Sequence, residues 1–442
     1  MEKDLTKGNV TKSIMLFAIP MILGNMLQQF YNIADTFIVG KFVSSNALAA
    51  VGTSFSLMVF ITSVIIGLCM GSGVLFSMYY GGEDFENLKK SFFMSFVSIF
   101  IVTVLINIIV FIFIDKILLL LQVDTVIVEM TKEYLTVIFT GIVFVYIYNF
   151  FACFLRSIGN SSVPVICMGI SAVINIVLDI VFVCFFNMGV FGAAFATVIA
   201  QFFSAIIVSI YSFIKIPYTR IKKEHMKFEK DMLKRIINYS SLTSIQQSVM
   251  NFGILMIQGL VNSFGVAVTA AFAAAVKIDA FAYMPVQDFG NAFSTYIAQN
   301  MGAGKKEHIH KGIKSAIKMS VVFSIIISII VFVFAKYLML IFVKSDEINI
   351  INIGVEYLRI EGAFYFGIGI LFILYGLYRG LGRAGMSVVL TIISLGSRVL
   401  IAYTLAPRPT IGLYGIWWAI PIGWILADIT GLLYYLKIKK SI

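Results

Sequence analysis

The chain has 442 residues, of which 60% are hydrophobic and only 12% charged, so its composition is far from that of a soluble domain. Apolar runs of about 18 residues or more recur along it, each long enough to cross about 30 Å of hydrocarbon. These features exclude a soluble globular protein and predict an all-α polytopic membrane protein, because lipid satisfies no backbone hydrogen bonds. Membrane topology explains the net charge of +11 better than nucleic-acid binding does, and no nucleic-acid partner is expected.

Twelve transmembrane helices are predicted in chain order from these apolar runs. With the N-terminus inside, about 24 Lys and Arg fall in cytoplasmic segments and only about five in outer loops. Basic residues collect on the cytoplasmic side, so both termini are expected in the cytoplasm of a multi-pass inner (plasma) membrane protein. The five outer basic residues are Lys41, Lys116, Lys132, Lys344 and Arg408. The spans lie at roughly 14–40, 47–78, 88–114, 130–156, 163–186, 189–214, 238–263, 267–299, 314–341, 352–378, 386–406 and 412–436.

A basic stretch divides these spans into two groups of six. It runs from Lys215 to Arg235, directly after the sixth span. Basic segments beside a membrane tend to lie on the anionic leaflet. The sequence therefore predicts a basic cytoplasmic linker at 215–237 between two six-helix bundles, at 1–214 and 238–442.

The two groups of spans form an internal repeat. Residues 154–192 align with 377–415 at a constant offset of 223, and YYGGEDFENLKK aligns with QNMGAGKKEHIHK at an offset near 221. Because each half has an even number of spans, the bundles are expected to be related by a pseudo-two-fold axis along the membrane normal. The aligned pairs are Arg156 with Arg379, Gly159 with Gly382, Gly189 with Gly412, and Gly192 with Gly415.

Polar residues in three spans of the first half predict a cation site. Asp35 stands alone in span one, Asn175 and Asp179 are four apart in span five, and Ala193 and Thr197 are four apart in span six. Residues four apart share a helix face, and an ionisable group inside a membrane usually marks an ion or substrate path. Their hard oxygen ligands suit Na⁺ or, if one carboxyl is protonated, H⁺. A polar cluster that merely holds the three spans together is the structural alternative.

The second half lacks this ligand set. At the offset of 223, Asn175 aligns with Arg398 and Asp179 with Ala402, while Ile416 and Ile420 replace Ala193 and Thr197. The ion site is therefore expected only in the first half. Arg398 is expected to pair with Glu361 of span ten in a structural charge pair.

Other polar residues inside the spans are candidates for a substrate cavity. Lys277, Asp279 and Asp428 are intramembrane charges to which the sequence assigns no partner. The cavity candidates are Gln28, Gln29, Asn32, Asp288 and Glu361.

The chain resembles the multidrug and toxic compound extrusion (MATE) transporters over nearly its whole length. The resemblance is carried by IPMILGNMLQQFYNIADTFIVGKFVSSNALAAVG, by FLRSIGNSSVP, and by Asn175-x3-Asp179 followed by Ala193 and Thr197. It implies two bundles around a central cavity that alternates between outward-open and inward-open states. It also implies Na⁺ or H⁺ binding at the positions matched by Asp35, Asn175, Asp179 and Thr197. The family branch with a C-terminal cation site uses acids in spans seven and ten, and span seven has none here.

These features favour ion-coupled multidrug efflux by alternating access. The expected partners are the lipid bilayer, organic cation drugs and a coupling cation, Na⁺ and/or H⁺; no other cofactor and a monomer are expected. A lipid-linked saccharide flippase of the same superfamily is the alternative, but it should line its cavity with basic groups that hold pyrophosphate. A channel is less favoured because nothing resembles a selectivity filter, and an enzyme because the spans contain no catalytic constellation.

Overall fold

The computed structural model describes residues 3–121 and 123–440. These ranges contain α helices and short helical turns but no strand, which confirms the all-α prediction. The helices are α1 (Val10–Phe42), α2 (Ser45–Gly81), α3 (Phe85–Leu120), α4 (Val128–Thr140), α5 (Ile142–Ser157), α6 (Ser162–Asp179), α7 (Gly189–Lys215), α8 (Lys230–Asn262), α9 (Val266–Gly302), α10 (Lys306–Met339), α11 (Ile348–Gly362), α12 (Tyr365–Gly380), α13 (Ala384–Leu405) and α14 (Leu413–Ile438).

The helices cover all twelve predicted spans. Within the described ranges, nine helices are long and apolar enough to cross a membrane, and two bent pairs bring the number to eleven. The remaining predicted span, 238–263, falls on α8, which ends at Asn262. Polar side chains such as Gln246, Gln247 and Asn251 lower the hydropathy of α8.

Two spans predicted as continuous are bent. The span predicted at 130–156 consists of α4 and α5, which meet at 48°, and the span at 352–378 consists of α11 and α12, which meet at 52°. At the first bend, a Cβ on Gly141 would lie 2.8 Å from a methyl carbon of Val198, so glycine permits the close approach of α7. Both bends contain i→i+3 backbone bonds, including the bond from Phe144 N–H to the Gly141 carbonyl (2.9 Å). Such bonds tighten the backbone beyond α-helical geometry.

The internal repeat is visible in the helix boundaries. Helices α1 and α8 begin 220 residues apart (10 and 230) and end 220 apart (42 and 262), and α5 and α12 are displaced by 223 at both ends. The aligned glycines also share a backbone conformation. Gly159 and Gly382 have φ of 85° and 77°, and Gly189 and Gly412 have φ of 59° and 53°. These are conformations that glycine adopts without a steric penalty.

The chain forms two compact units. Unit 1 contains the described part of Met1–Asp4 together with Leu23–Ser244, and unit 2 contains Leu5–Ile22 together with the described part of Ile245–Ile442. The division therefore lies inside α1 and α8, whereas the sequence predicts it at the linker 215–237. That linker lies wholly within unit 1.

Each unit has its own apolar core. In unit 1, aromatic rings of α2, α3 and α5 pack edge to face, with the Phe92 and Phe154 centroids 4.6 Å apart. In unit 2, Trp417 of α14 stacks on Phe272 of α9, with centroids 5.7 Å apart. Aromatic pairs in these geometries add to the stabilisation from apolar burial.

Candidate cation site

Unit 1 brings together all five residues of the predicted cation site. The C-terminal part of α1 supplies Asp35, α6 supplies Asn175 and Asp179, and α7 supplies Ala193 and Thr197. All five are buried. The i,i+4 spacing places both members of each pair on one face of their helix, where Asn175 contacts Thr197 of α7 and Asp179 lies beside Asp35 of α1.

Hydrogen bonds order one side of the site. The Asn175 side-chain amide donates to the Thr197 hydroxyl oxygen (3.3 Å). The Thr197 hydroxyl in turn donates to the main-chain carbonyl of Ala193, one turn earlier in α7 (3.1 Å). These two hydrogen bonds fix the orientation of the Asn175 amide, so its Oδ1 atom remains available as an acceptor.

Several buried oxygens in the site have no hydrogen-bond partner. They are one carboxyl oxygen of Asp35, the amide oxygen of Asn175 and both carboxyl oxygens of Asp179. The carboxyl groups of Asp35 and Asp179 lie within hydrogen-bonding reach of each other. Two ionised carboxylates at this separation repel, so the pair requires either a shared proton or a cation between them. A buried group of oxygen acceptors that lack hydrogen-bond donors is suited to binding a hard cation.

Two tyrosines complete the electrostatic environment. Tyr31 of α1 and Tyr134 of α4 lie close enough to interact with both Asp35 and Asp179. The Tyr31 hydroxyl also contacts the Gln28 side chain. Tyr134 belongs to an apolar cluster that includes Ile38 and the Ala193 side chain, so apolar groups surround part of the site.

A π-helical turn begins directly after Asp179. It covers Ile180–Phe185, and the Phe186 N–H donates to the Val181 carbonyl five residues earlier (3.0 Å). The corresponding residues of the second repeat, 403–408, contain no π-helical turn: 403–405 are the end of α13, and 406–408 form turns and a bend. Isolated π-helical turns occur frequently at functional sites, and this turn occurs in the repeat that contains the predicted cation site.

Unit 2 contains a different polar cluster, centred on Asp279 of α9. The Tyr365 hydroxyl donates to Asp279 Oδ1, and the carboxyl of Glu361 and the hydroxyl of Tyr357 lie within hydrogen-bonding reach of Asp279. Arg398 interacts electrostatically with both acids. The sequence analysis identified Glu361 and Arg398 but did not predict that Glu361 lies beside Asp279. Asp279 belongs to α9, about 80 residues before Glu361 in the sequence, and helical spacing gives no information about such distant contacts.

The expected Glu361–Arg398 pair does not form a direct contact. No ion pair joins the two among the described residues, although their charges interact at longer range. One carboxyl oxygen of Glu361 and the Nε atom of Arg398 are buried without a hydrogen-bond partner. Asp279 lies beside Glu361, so the cluster contains an acid pair and an arginine rather than a simple ion pair.

The other candidates for the substrate cavity are distributed between the two units. Gln28, Gln29 and Asn32 are half-buried on α1 in unit 1, and Asp288 is buried on α9 in unit 2. Their assignment to a substrate cavity remains a prediction.

Two further intramembrane charges have separate environments. Asp428 of α14 is buried, with one carboxyl oxygen lacking a partner. Lys277 of α9 is exposed and lies over the Phe342 ring, 5.9 Å from its centroid. Neither residue belongs to the five-residue cation site.

Comparison with known proteins identifies the family. The profile described as MatE matches residues 20–181 and 240–404. The chain belongs to the MatE family. It is therefore a multi-pass membrane transporter of a multidrug efflux family, and its relatives are transporters rather than enzymes.

The relatives include curated bacterial multidrug proteins. The probable multidrug resistance protein YpnP of Bacillus subtilis is 31% identical over 438 residues, covering 98% of this chain and 96% of the relative. The multidrug export protein MepA of Staphylococcus aureus is 25% identical and covers 99% of this chain and 96% of the relative.

Solved MATE structures share the fold along almost the whole chain. A multidrug resistance MATE family transporter of the MOP superfamily in an outward-facing conformation is 25% identical, with a TM-score of 0.92. The match covers 99% of this chain and 97% of that structure. A MOP superfamily transporter from Pyrococcus furiosus, described as having a binding pocket of reverse polarity, is also 25% identical with a TM-score of 0.92, covering 98% and 97%.

Proposed function

We propose that this MatE-family chain exports amphipathic organic cations in exchange for Na⁺ or H⁺, which bind at the five-residue site of unit 1. The observation that carries the proposal is the convergence of unpartnered acceptor oxygens from Asp35, Asn175 and Asp179 in a buried site. Leaving several buried acceptors without partners is costly, and a bound cation or proton removes that cost.

The two carboxyl groups give this site a way to exchange ions. Without a metal cation, a proton shared by Asp35 and Asp179 lowers their mutual repulsion. With Na⁺ bound, both carboxylates, the Asn175 amide oxygen, the Thr197 hydroxyl and the Ala193 carbonyl act as ligands. Proton release and Na⁺ binding are therefore linked, so the site responds to gradients of either ion.

Site occupancy affects the arrangement of α1. Asp35 belongs to α1, whereas Asn175 and Asp179 belong to α6 and Thr197 to α7. A cation shared by these groups favours the arrangement that keeps α1 against the other two helices. An ion with different affinities for two conformations shifts the balance between them. This dependence would link ion movement to alternating access.

The topology of the proposal follows the distribution of basic residues. Both termini and the linker 215–237 lie in the cytoplasm, and the monomeric chain resides in the plasma membrane. In this orientation, external Na⁺ or H⁺ enters the outer part of unit 1 while drugs leave the cell.

Ethidium transport in reconstituted vesicles tests the proposal. Inward Na⁺ and H⁺ gradients are imposed separately, with a K⁺ gradient as the matched control, and ethidium movement is followed by fluorescence. We expect a Na⁺ or H⁺ gradient to drive transport and the K⁺ gradient to fail. Equal transport under all three gradients, or none under any, would contradict ion-coupled export of organic cations.

A further inference from the structure

The segment between α7 and α8 is docked on unit 1. Ile216, Thr219 and His225 are each 1% exposed. The Thr219 hydroxyl donates to the Ser212 carbonyl at the end of α7 (2.8 Å). Tyr218 stacks on Phe85, at the start of α3, with ring centroids 4.8 Å apart. This segment is therefore an ordered part of unit 1 rather than a free tether.

Two polar contacts complete the docking. His225 Nδ1 accepts the Lys222 N–H (2.9 Å), so its Nε2 carries the proton and donates to Glu86 Oε2 (2.9 Å). The hydrogen bond from His225 is the largest contribution that lowers the pKa of Glu86, and the hydrogen bond from Lys89 is the next largest. Four residues along the linker from His225, Glu229 accepts a hydrogen bond from Lys90 Nζ (2.6 Å).

The second repeat uses the equivalent residues differently. At the offset of 221, Glu86 corresponds to Glu307 and Lys90 to Lys311. Glu307 and Lys311 pair with each other within α10 (2.7 Å). In the first repeat, by contrast, Glu86 and Lys90 hold two separate points of the linker. The docking is thus a specific feature of unit 1.

Docking leaves a basic and apolar face exposed. We call this face the linker face; it consists of Lys222, Lys223, Met226, Lys227 and Phe228, all exposed. Met226 is 46% exposed and Phe228 59% exposed. Residues 215–237 contain eight basic and three acidic side chains. Exposed apolar side chains among lysines, beside two spanning helices, are typical of segments that lie in the membrane interface.

We propose that the linker face binds the anionic phospholipid headgroups of the adjacent leaflet. Its lysines contact lipid phosphates, and Met226 and Phe228 enter the headgroup region. Charge complementarity supports this occupant, because basic clusters directly beside spanning helices are attracted to anionic lipid. The contacts of His225 and Glu229 support it further, because they fix the segment with these side chains facing outward and reduce the entropy lost on binding.

Site-directed spin labelling in vesicles tests the proposal. A nitroxide is attached at Phe228→Cys in full-length protein carrying Cys184→Ser, since Cys69, Cys153 and Cys167 are buried. Its collisions with oxygen and with a water-soluble nickel complex are compared in phosphatidylcholine vesicles with and without about 30% phosphatidylglycerol. A label at Lys306→Cys, exposed at the start of α10 in unit 2, is the matched control.

The expected result is specific to the linker face. With phosphatidylglycerol present, the label at position 228 should gain oxygen collisions and lose nickel collisions, while the label at position 306 should not change. Replacing the linker lysines Lys222, Lys223 and Lys227 with Gln should abolish the gain. The same replacement of the exposed unit 2 lysines Lys311, Lys314 and Lys318 should preserve it.

Each of three outcomes would overturn the proposal. The first is equal water accessibility of the label at position 228 in both kinds of vesicle. The second is a gain in oxygen collisions that survives loss of the linker lysines. The third is a gain that disappears equally when the unit 2 lysines are replaced. Neither measurement depends on drug transport, so the result stands apart from the proposed function.

Discussion

Changing Asp35 distinguishes a cation site from a polar cluster that has only a structural role. Its carboxyl lies within hydrogen-bonding reach of Asp179, and one of its oxygens has no partner. If the cluster only held α1 in place, removing the charge of Asp35 would weaken packing. If the cluster binds the coupling ion, the same change would remove transport and leave the fold intact.

We predict that Asp35→Asn abolishes active export while the protein remains folded. Asparagine has nearly the same volume and can hydrogen-bond to Asp179, but it neither releases a proton nor neutralises a bound cation. Ethidium efflux and thermal stability in detergent are measured for both proteins. Wild-type efflux by the variant would remove Asp35 from the mechanism, and a large loss of stability with efflux retained would favour the structural alternative.

Thr197 offers a smaller change at the same site. Its hydroxyl accepts a hydrogen bond from Asn175 and donates one to the Ala193 carbonyl. We predict that Thr197→Val reduces the stabilisation of purified protein by Na⁺, because it removes one oxygen ligand at nearly constant volume. Thr197→Ser keeps the hydroxyl and is the matched control.

The Na⁺ effect should also depend on pH and on the ion. Protonation of either carboxyl removes a ligand charge, so Na⁺ should raise the midpoint of thermal unfolding more at about pH 8 than at about pH 5.5. K⁺ should have a much smaller effect. Equal stabilisation by Na⁺ and K⁺ at both pH values would contradict a Na⁺ site and leave proton coupling through Asp35.

At the scale of the helix, α9 and α12 cross at two glycines. A Cβ on Gly376 would lie 2.2 Å from the Gly290 carbonyl oxygen, and one on Gly290 would lie 2.6 Å from the Phe372 carbonyl oxygen. These obstacles are main-chain atoms, which cannot rotate away. The two helices therefore pack backbone to backbone, as small residues allow in membrane proteins.

We predict that Gly376→Ala destabilises the protein by about 1–3 kcal/mol, because overpacking forces the helices apart. Gly396→Ala is the control, since a Cβ there meets nothing within 4 Å; alanine should be neutral or stabilise α13 slightly. The measurement is the midpoint of thermal unfolding for both variants. Equal midpoints would show that the crossing tolerates an added methyl group.

The helices also show which features the sequence could predict. Hydropathy located eleven of the predicted spans among the described residues, counting each bent pair as one, because a span needs a long apolar run wherever it packs. The span predicted at 238–263 falls on α8, whose polar side chains lower its hydropathy. The bends at Gly141 and after Gly362 escaped prediction, since they depend on local i→i+3 bonds and, for Gly141, on a neighbour in α7. The π-helical turn after Asp179 likewise left no signal in an apolar sequence.

In the candidate site, too, some features could be predicted from the sequence and others depend on tertiary packing. The i,i+4 spacings of Asn175 with Asp179 and Ala193 with Thr197 predicted which side chains share a face, and the structure brings them together with Asp35. Tyr134 could not be recognised, because it occupies an ordinary apolar position in α4. The pairing of Glu361 with Asp279 also depends on tertiary packing rather than on spacing.

At the scale of the whole molecule, the two repeats share an architecture but differ in their buried charges. Helix boundaries and left-handed glycines recur at nearly constant offsets. Unit 1 places two acids among neutral oxygen acceptors, whereas unit 2 places Asp279 and Glu361 near Arg398. A fixed positive charge already balances part of the negative charge in unit 2. A metal cation is therefore expected to bind in unit 1.

Equilibrium binding of radioactive Na⁺ to the purified protein tests this central claim most directly. We predict about one Na⁺ per chain, because the two carboxylates form one coupled site. Asp179→Asn should abolish binding, whereas Glu361→Gln, a matched change at the buried acid of unit 2, should preserve it. Binding that survives Asp179→Asn and disappears with Glu361→Gln would contradict the account and place the coupling ion in unit 2.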